Sequence, residues 1–152
     1  MKTEPDVFSF GDLQALGTQG TFWEGVRNYQ ARNFMREMRV GDQVLIYHSS
    51  TKSPAIVGLA RVIQESQTDL SQFDVNSPYF DAKASPEKPR WEGVMVQATQ
   101  ALKSPVSLQD LRAWPGIEDF ILLRKGNRLS VMPVTAKVLE IVLKHAMMAG
   151  DE

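Results

Sequence analysis

The sequence contains no cysteine, which removes disulfide cross-links, thiolate catalysis and Cys-ligated zinc together. It has two histidines, His48 and His145, too few for a multi-histidine metal site. No apolar run approaches the ~20 residues that a membrane-spanning helix needs. Neither sign of charge dominates. Lys and Arg number 17 against 18 Asp and Glu, a formal net charge of −1, so no global field draws the chain to nucleic acid or to a membrane. Any anion recognition has to be local. Glycine-rich nucleotide loops, a Walker sequence, His-Glu-x-x-His and Gly-x-Ser-x-Gly are all missing. The opening Met1-Lys2-Thr3-Glu4-Pro5 is polar and has no signal-peptide pattern, so a cytoplasmic protein is the expectation. The 152 residues are 43% hydrophobic, enough for one sizeable core, and without an internal repeat they read as a single domain over 1–152.

What the chain does have is concentrated between Trp23 and His48. Aromatic, arginine and amide side chains are densest there. Ala31, Phe34, Met35 and Met38 recur at i, i+3, i+4 and i+7, the buried face of a helix over about 30–39. Arg32, Arg36 and Arg39 lie on another face. Gly41-Asp42 is a turn signal, and the apolar run 43–48 predicts a strand. A polar, aromatic loop seated on a rigid helix is where ligand chemistry tends to sit.

Around this unit the pattern predicts short helices and strands. Pro5 favours an extended start. Ser9 caps a short helix with Phe10, Leu13 and Leu16 inward and Gly17 as its stop. Residues 55–64 predict a second strand, in which Gly58 signals a bulge or a close approach. The polar segment 65–90 carries Phe73, Tyr79 and Phe80, so it is expected to pack on the domain. Residues 91–101 predict a third strand and 108–114 a helix capped by Ser107. The apolar stretch 117–123 fits helix or strand. Residues 129–134 predict an edge strand because of Pro133. Thr135 caps a last amphipathic helix with Gly150 as its stop. Strand–helix alternation never becomes regular, which argues against a doubly wound sheet and for a small mixed α/β barrel.

The candidate functional residues each have a plain reading and a sharper one. Trp23 is either core or a ring with one accessible face, since Glu24, Gly25, Arg27 and Asn28 around it are polar or small. His48 is either a strand-end histidine bonded to backbone or a polar group at a pocket mouth. Asn28 and Asn33 are either turn and cap residues or bidentate partners for a base edge. Arg27, Arg32 and Arg36 are either a solvated helix face or phosphate contacts. Asp69, Asp74 and Asp81 read as turn-formers before catalytic carboxylates. Aromatic, amide and arginine side chains together suit a flat, hydrogen-bonding ligand such as a flipped or single-stranded base.

Several of these residues also carry a family resemblance. Lys2-Thr3-Glu4-Pro5, the run Trp23-x-Gly-Val-Arg-Asn-Tyr-x-Ala-Arg-Asn33, Tyr47-His48-Ser49, Ile56-Val57-Gly58, Pro78-Tyr79-Phe80-Asp81, Pro89-Arg90-Trp91 and Arg128-Leu129-Ser130 resemble the EVE domain family, in its standalone bacterial form. The resemblance spans nearly the whole chain. It implies a PUA-like mixed β-barrel with flanking short helices. It implies a nucleic-acid-binding module that reads a modified nucleobase, modified cytosine in DNA or a modified RNA base, without catalysis, cofactor or metal. It further implies that Trp23 stacks on the ligand, that Val26, Asn28, Tyr29 and Asn33 shape the pocket, and that Lys2, Thr3, His48 and Ser49 contribute to it. Thr3 stands where the family usually has Ser, keeping the hydroxyl. Family members carry a few residues before this motif, so a short first strand is expected here. The competing readings are a small hydrolase-like enzyme and a binder of a free nucleoside-like metabolite. Against the enzyme stands the lack of a nucleophile–base pair near the pocket motif. The combined expectation is a cavity bordered by Trp23, Asn28, Asn33 and His48, with Trp23→Ala losing affinity and keeping the fold.

Overall fold

Alternation of side chains along three strands produces two hydrophobic cores, one on each face of a sheet. A computed structural model describes residues 1–146 of the chain. Strand β1 is Lys2–Thr3, helix α1 Phe10–Ala15, β2 Thr21–Phe22, α2 Tyr29–Glu37, β3 Gln43–His48, β4 Ala55–Thr68, β5 Glu92–Ser107, α3 Leu108–Ala113 and α4 Ala136–His145. In β3, Val44 and Ile46 enter one core with Trp23, Ala31 and Met35. The intervening Leu45 and Tyr47 enter the other, with Leu111, Ile117 and Val142. That is why β3 reads as a continuous apolar run: each of its faces is covered.

The sheet has five strands in the order β1-β3-β4-β5-β2. Only β1 and β3 pair in parallel; the other pairings are antiparallel. In a flat five-stranded sheet the edges would lie about 19 Å apart. Here β1 and β2 line one cleft, so the sheet curls until its edges face each other. They do not pair: β1 and β2 are the two ends of the strand order, and the Lys2 N–H of β1 bonds Ser130 O instead. Among the described residues the curl therefore stops short of a closed barrel.

Several expectations hold. Ser9, Ser107 and Thr135 cap α1, α3 and α4. Gly58 sits at a register shift in β4, and a Cβ there would lie 2.3 Å from the Phe10 ring, the close approach that demands glycine. Others need correction. β4 runs past 64 because polar residues keep the ladder going, with Gln67 opposite Gly93 and Thr68 opposite Glu92, and β5 runs past 101 through Pro105 to set Val106 opposite Ile56 and Ser107 opposite Ala55. Residues 117–123 contain a short 3₁₀ turn, Ile121–Leu123. Residues 129–134 are not a strand. They contribute one ladder-like bond, Lys2 N–H to Ser130 O at 2.8 Å, while Val131 is buried in the first core and Pro133 has no N–H to offer. The stretch is a half-buried loop anchored by Val131. Gly150 lies outside the described residues.

Candidate nucleobase pocket

The unpaired seam between β1 and β2 is a cleft of ≈ 490 Å³, within the size range of ligand pockets. Lys2 and Thr3 line it from β1, Thr21 and Phe22 from β2, and Trp23, Glu24, Gly25 and Val26 from the chain that follows. Val7, Phe8 and Glu4 close one end, with Tyr79 and Ser130 completing the wall. Local bonds set these positions. The Thr3 hydroxyl donates to Phe8 O at 2.6 Å, folding the chain so that the Phe8 edge meets the Trp23 ring at 6.3 Å and 85°. Trp23 N–H donates to Val94 O at 2.8 Å, which anchors the tryptophan to β5. Four aromatic rings, Phe8, Phe22, Trp23 and Tyr79, thus surround the cleft. The one cation in its lining, Lys2, has no ion pair or side-chain hydrogen bond among the described residues. Burial holds its pKa below the ordinary lysine value.

The far wall is tied together by a buried ion pair. Asp69 is fully buried. Its Oδ2 accepts from Gly25 N–H at 2.9 Å and Arg27 Nη1 at 3.0 Å, and its Oδ1 from Ser71 N–H and Oγ. Burial alone would raise the Asp69 carboxyl, but bonds from Ser71, Gly25 and Arg27 outweigh it and hold the pKa below the usual value. Arg27 donates further to Val26 O, Ser71 Oγ and twice to Tyr79 O. All five of its N–H groups are engaged inside the protein. Gly25 has φ +85°, and a Cβ there would lie 2.7 Å from the Tyr79 ring. The loops 23–27 and 69–81 are therefore one knitted wall, with Tyr79 laid flat against a glycine.

Of the residues expected at the ligand, Lys2, Thr3, Trp23 and Val26 meet in this cleft. Asn28, Tyr29, Asn33, His48 and Ser49 are not part of its lining. Asn28 is the N-cap of α2, accepting from Ala31 N–H at 2.9 Å. Asn33 accepts from Arg32 Nε and Nη2. His48 Nε2 accepts from Phe10 N–H at 3.0 Å, and burial lowers its pKa. It thereby serves an otherwise orphan donor at the start of α1. Ser49 N–H bonds Thr3 O beside β1. Tyr29 stacks on Trp91, with centroids 4.8 Å apart. The cleft at Trp23 is bordered by Phe8, Phe22 and Tyr79, and Asn28, Asn33 and His48 lie outside its lining. Trp23 is also only 8% exposed, so its truncation would cost several kcal/mol of stability, about 3–5 for a buried Trp→Ala.

The expected phosphate contacts have protein partners here. Arg27 has no donor left for a phosphate. Arg36 is paired with Glu92. Arg32 bonds Arg90 O and Asn33, retaining two unengaged N–H groups. Asp69, Asp74 and Asp81 serve turns and caps as expected, accepting from Ser71, Asn76 and Lys83 N–H. The cleft also takes in Phe8, Phe22 and Tyr79, which are not among the site residues expected from the sequence. Tyr79 alone had a signal, as an aromatic within a polar loop. A larger cleft, ≈ 570 Å³, lies between α2, β3 and the 132–139 stretch. Trp23 and Tyr79 are absent from its lining, which includes Phe34, Met38, Val44 and Leu139. Among the described residues no group of three or more His, Asp or Glu is placed to hold a metal, and no helix is long and apolar enough to cross a membrane.

A curled mixed sheet with short helices and an aromatic cleft at its seam defines a small mixed α/β fold. The chain belongs to the EVE domain family, whose model matches residues 1–145. It is 40% identical over 159 residues to thymocyte nuclear protein 1 of Gallus gallus, covering 94% of this chain and 66% of that protein. The Homo sapiens protein is 35% identical over 160 residues, covering 94% and 71%. The chain thus spans about two thirds of the length of these curated relatives. A crystal structure of a Pseudomonas syringae protein superposes with TM-score 0.91 at 43% identity, covering 95% of each chain. Human THYN1, solved in complex with 5-methylcytosine containing DNA, gives TM-score 0.89 at 36% identity, covering 95% of this chain and 94% of that one.

Proposed function

We propose that this protein is a nucleic-acid-binding module that takes a modified base, of the modified-cytosine class, into the cleft between β1 and β2, without catalysing a reaction. One observation carries the reading: four aromatic residues, Phe8, Phe22, Trp23 and Tyr79, line a single ≈ 490 Å³ cleft. A base removed from its stack regains stacking energy against such rings. A cytosine ring then offers acceptors and an amino group to polar groups of the wall. The human relative solved with 5-methylcytosine containing DNA supports the ligand class. A PUA-like relationship accords with the curled sheet.

The test is a titration of oligonucleotides carrying one 5-methylcytosine against the same sequence unmodified. The parent should prefer the modified strand. Tyr79→Ala should lose about tenfold in affinity for it and keep its circular dichroism, because Arg27 holds residue 79 through the backbone. A parent with no preference, or a Tyr79→Ala variant that binds like the parent, refutes the reading.

A further inference from the structure

The Tyr29–Trp91 stack lies outside the cleft and is not used by the pocket. Trp91 is 5% exposed, with its Nε1 held by Asp81 at 2.8 Å. Tyr29 lies on it at 20° between ring planes, yet remains 49% exposed. The position of Arg32 shows which face is open. Its Cζ is 4.7 Å from the Tyr29 centroid and 6.0 Å from the Trp91 centroid, while the rings are 4.8 Å apart. A guanidinium capping the outer face of Tyr29 would be roughly twice the ring spacing from Trp91. Arg32 therefore sits beside the stack, and the face of Tyr29 turned away from Trp91 is uncovered.

We propose that Tyr29 is a second nucleic-acid contact, a platform on which the base next to the read nucleotide stacks, with Arg32 placed to meet its phosphate. This rests on the pocket reading above. Three observations support the choice of occupant. The platform is flat, rigidly backed and at the start of α2, as base stacking requires. Arg32 keeps two N–H groups unengaged, and burial together with Arg36 makes its charge costly in isolation, so an anion there is welcome. Finally, platform and pocket are contiguous: Arg27 Cζ lies 5.5 Å from the Trp91 ring and 5.8 Å from the Tyr79 ring of the pocket wall. The carboxylates close by are already engaged, Glu92 by Arg36 and Ser66 and Asp81 by Trp91.

The experiment compares Tyr29→Leu, which still covers Trp91, with Tyr29→Phe, which keeps the flat ring. Each is titrated with single-stranded oligonucleotides bearing one internal 5-methylcytosine or cytosine, at low salt. Tyr29→Leu should weaken both strands by the same factor, about tenfold, leaving the modified-to-unmodified ratio intact. Tyr29→Phe should stay within about twofold of the parent. Tyr29→Leu binding like the parent overturns the platform alone. A collapsed ratio in Tyr29→Leu also overturns it, since Tyr29 would then be acting through the pocket. So does a parent dimer that Tyr29→Leu converts to monomer, which would make this face a self-interface. A parent that binds neither strand overturns the pocket reading and the platform with it.

Discussion

Asp69→Ala should be the most damaging polar substitution in the wall of the cleft. The carboxylate is fully buried and accepts from Gly25, Arg27 and Ser71. Its removal leaves the Arg27 guanidinium without its counter-charge and the Gly25 and Ser71 donors without acceptors. Breaking a buried pair costs about 3–5 kcal/mol. The Arg27 side chain is 22% exposed, so water repays part of that, and a loss of about 3 kcal/mol is expected. For a domain of this size that corresponds to a fall of about 6–12 °C in melting temperature. The assay is urea unfolding of the parent, Asp69→Ala, Arg27→Met and the double variant at pH 7. The single losses should be non-additive by more than ~1 kcal/mol, because the second change removes a partner already orphaned. Asp69 also contributes a pH dependence. Its folded pKa is below its unfolded value of 3.8, so the stabilisation is complete above that value and is lost as pH falls through the folded pKa. The Asp69→Ala variant should therefore lose the steepest part of the acid transition. A loss below about 1 kcal/mol, or strict additivity with Arg27→Met, would refute the wall as described.

Two further outcomes follow from the packing. Gly58→Ala places a Cβ against the Phe10 ring, and should cost about 1–3 kcal/mol as overpacking. Adding Phe10→Leu should recover part of that in the same unfolding assay; no recovery would place the strain elsewhere. His48 has a folded pKa lowered by burial and accepts from Phe10 N–H. Its contribution is complete above the unfolded value near 6.5 and falls as pH drops below it, because the unfolded chain binds the proton first. His48→Gln should flatten the parent's stability slope between about pH 7 and 5, and an unchanged slope would discount this histidine.

The sequence revealed the elements whose cause is local. Helix α2 was legible from Ala31, Phe34, Met35 and Met38 because burial recurs at the helical period. The caps at Ser9, Ser107 and Thr135 were legible because a side chain serves a donor three residues on. Gly58 was legible because a glycine inside an apolar strand needs a reason. What was not legible depends on the curl of the sheet. Residues 2–8, 21–26, 79 and 130 meet only because β1 and β2 are brought face to face, and no window of sequence contains that. Asn28 and His48, expected at the ligand, lie outside this cleft, where the fold uses them as a cap and an acceptor. Residues 129–134 read as a strand, since a half-buried loop and a short strand share the same apolar composition. The end of β4 is not legible because backbone pairing there is carried by polar residues, and the end of β5 because Lys103 and Pro105 interrupt its apolar pattern.

The missing pairing between β1 and β2 has a consequence for how such a pocket can change. A closed barrel has its width fixed in discrete steps by strand number and stagger. Here the gap between the edge strands is lined by side chains and by the loop at Ser130, and no strand-to-strand ladder dictates its width. A single replacement at Val7 or Thr21, both lining the cleft, alters the admitted shape by a methyl or two while every strand keeps its register. Chains with one sheet can thus diverge in the shape this cleft admits by graded substitutions along a seam, with no strand gained, lost or shifted.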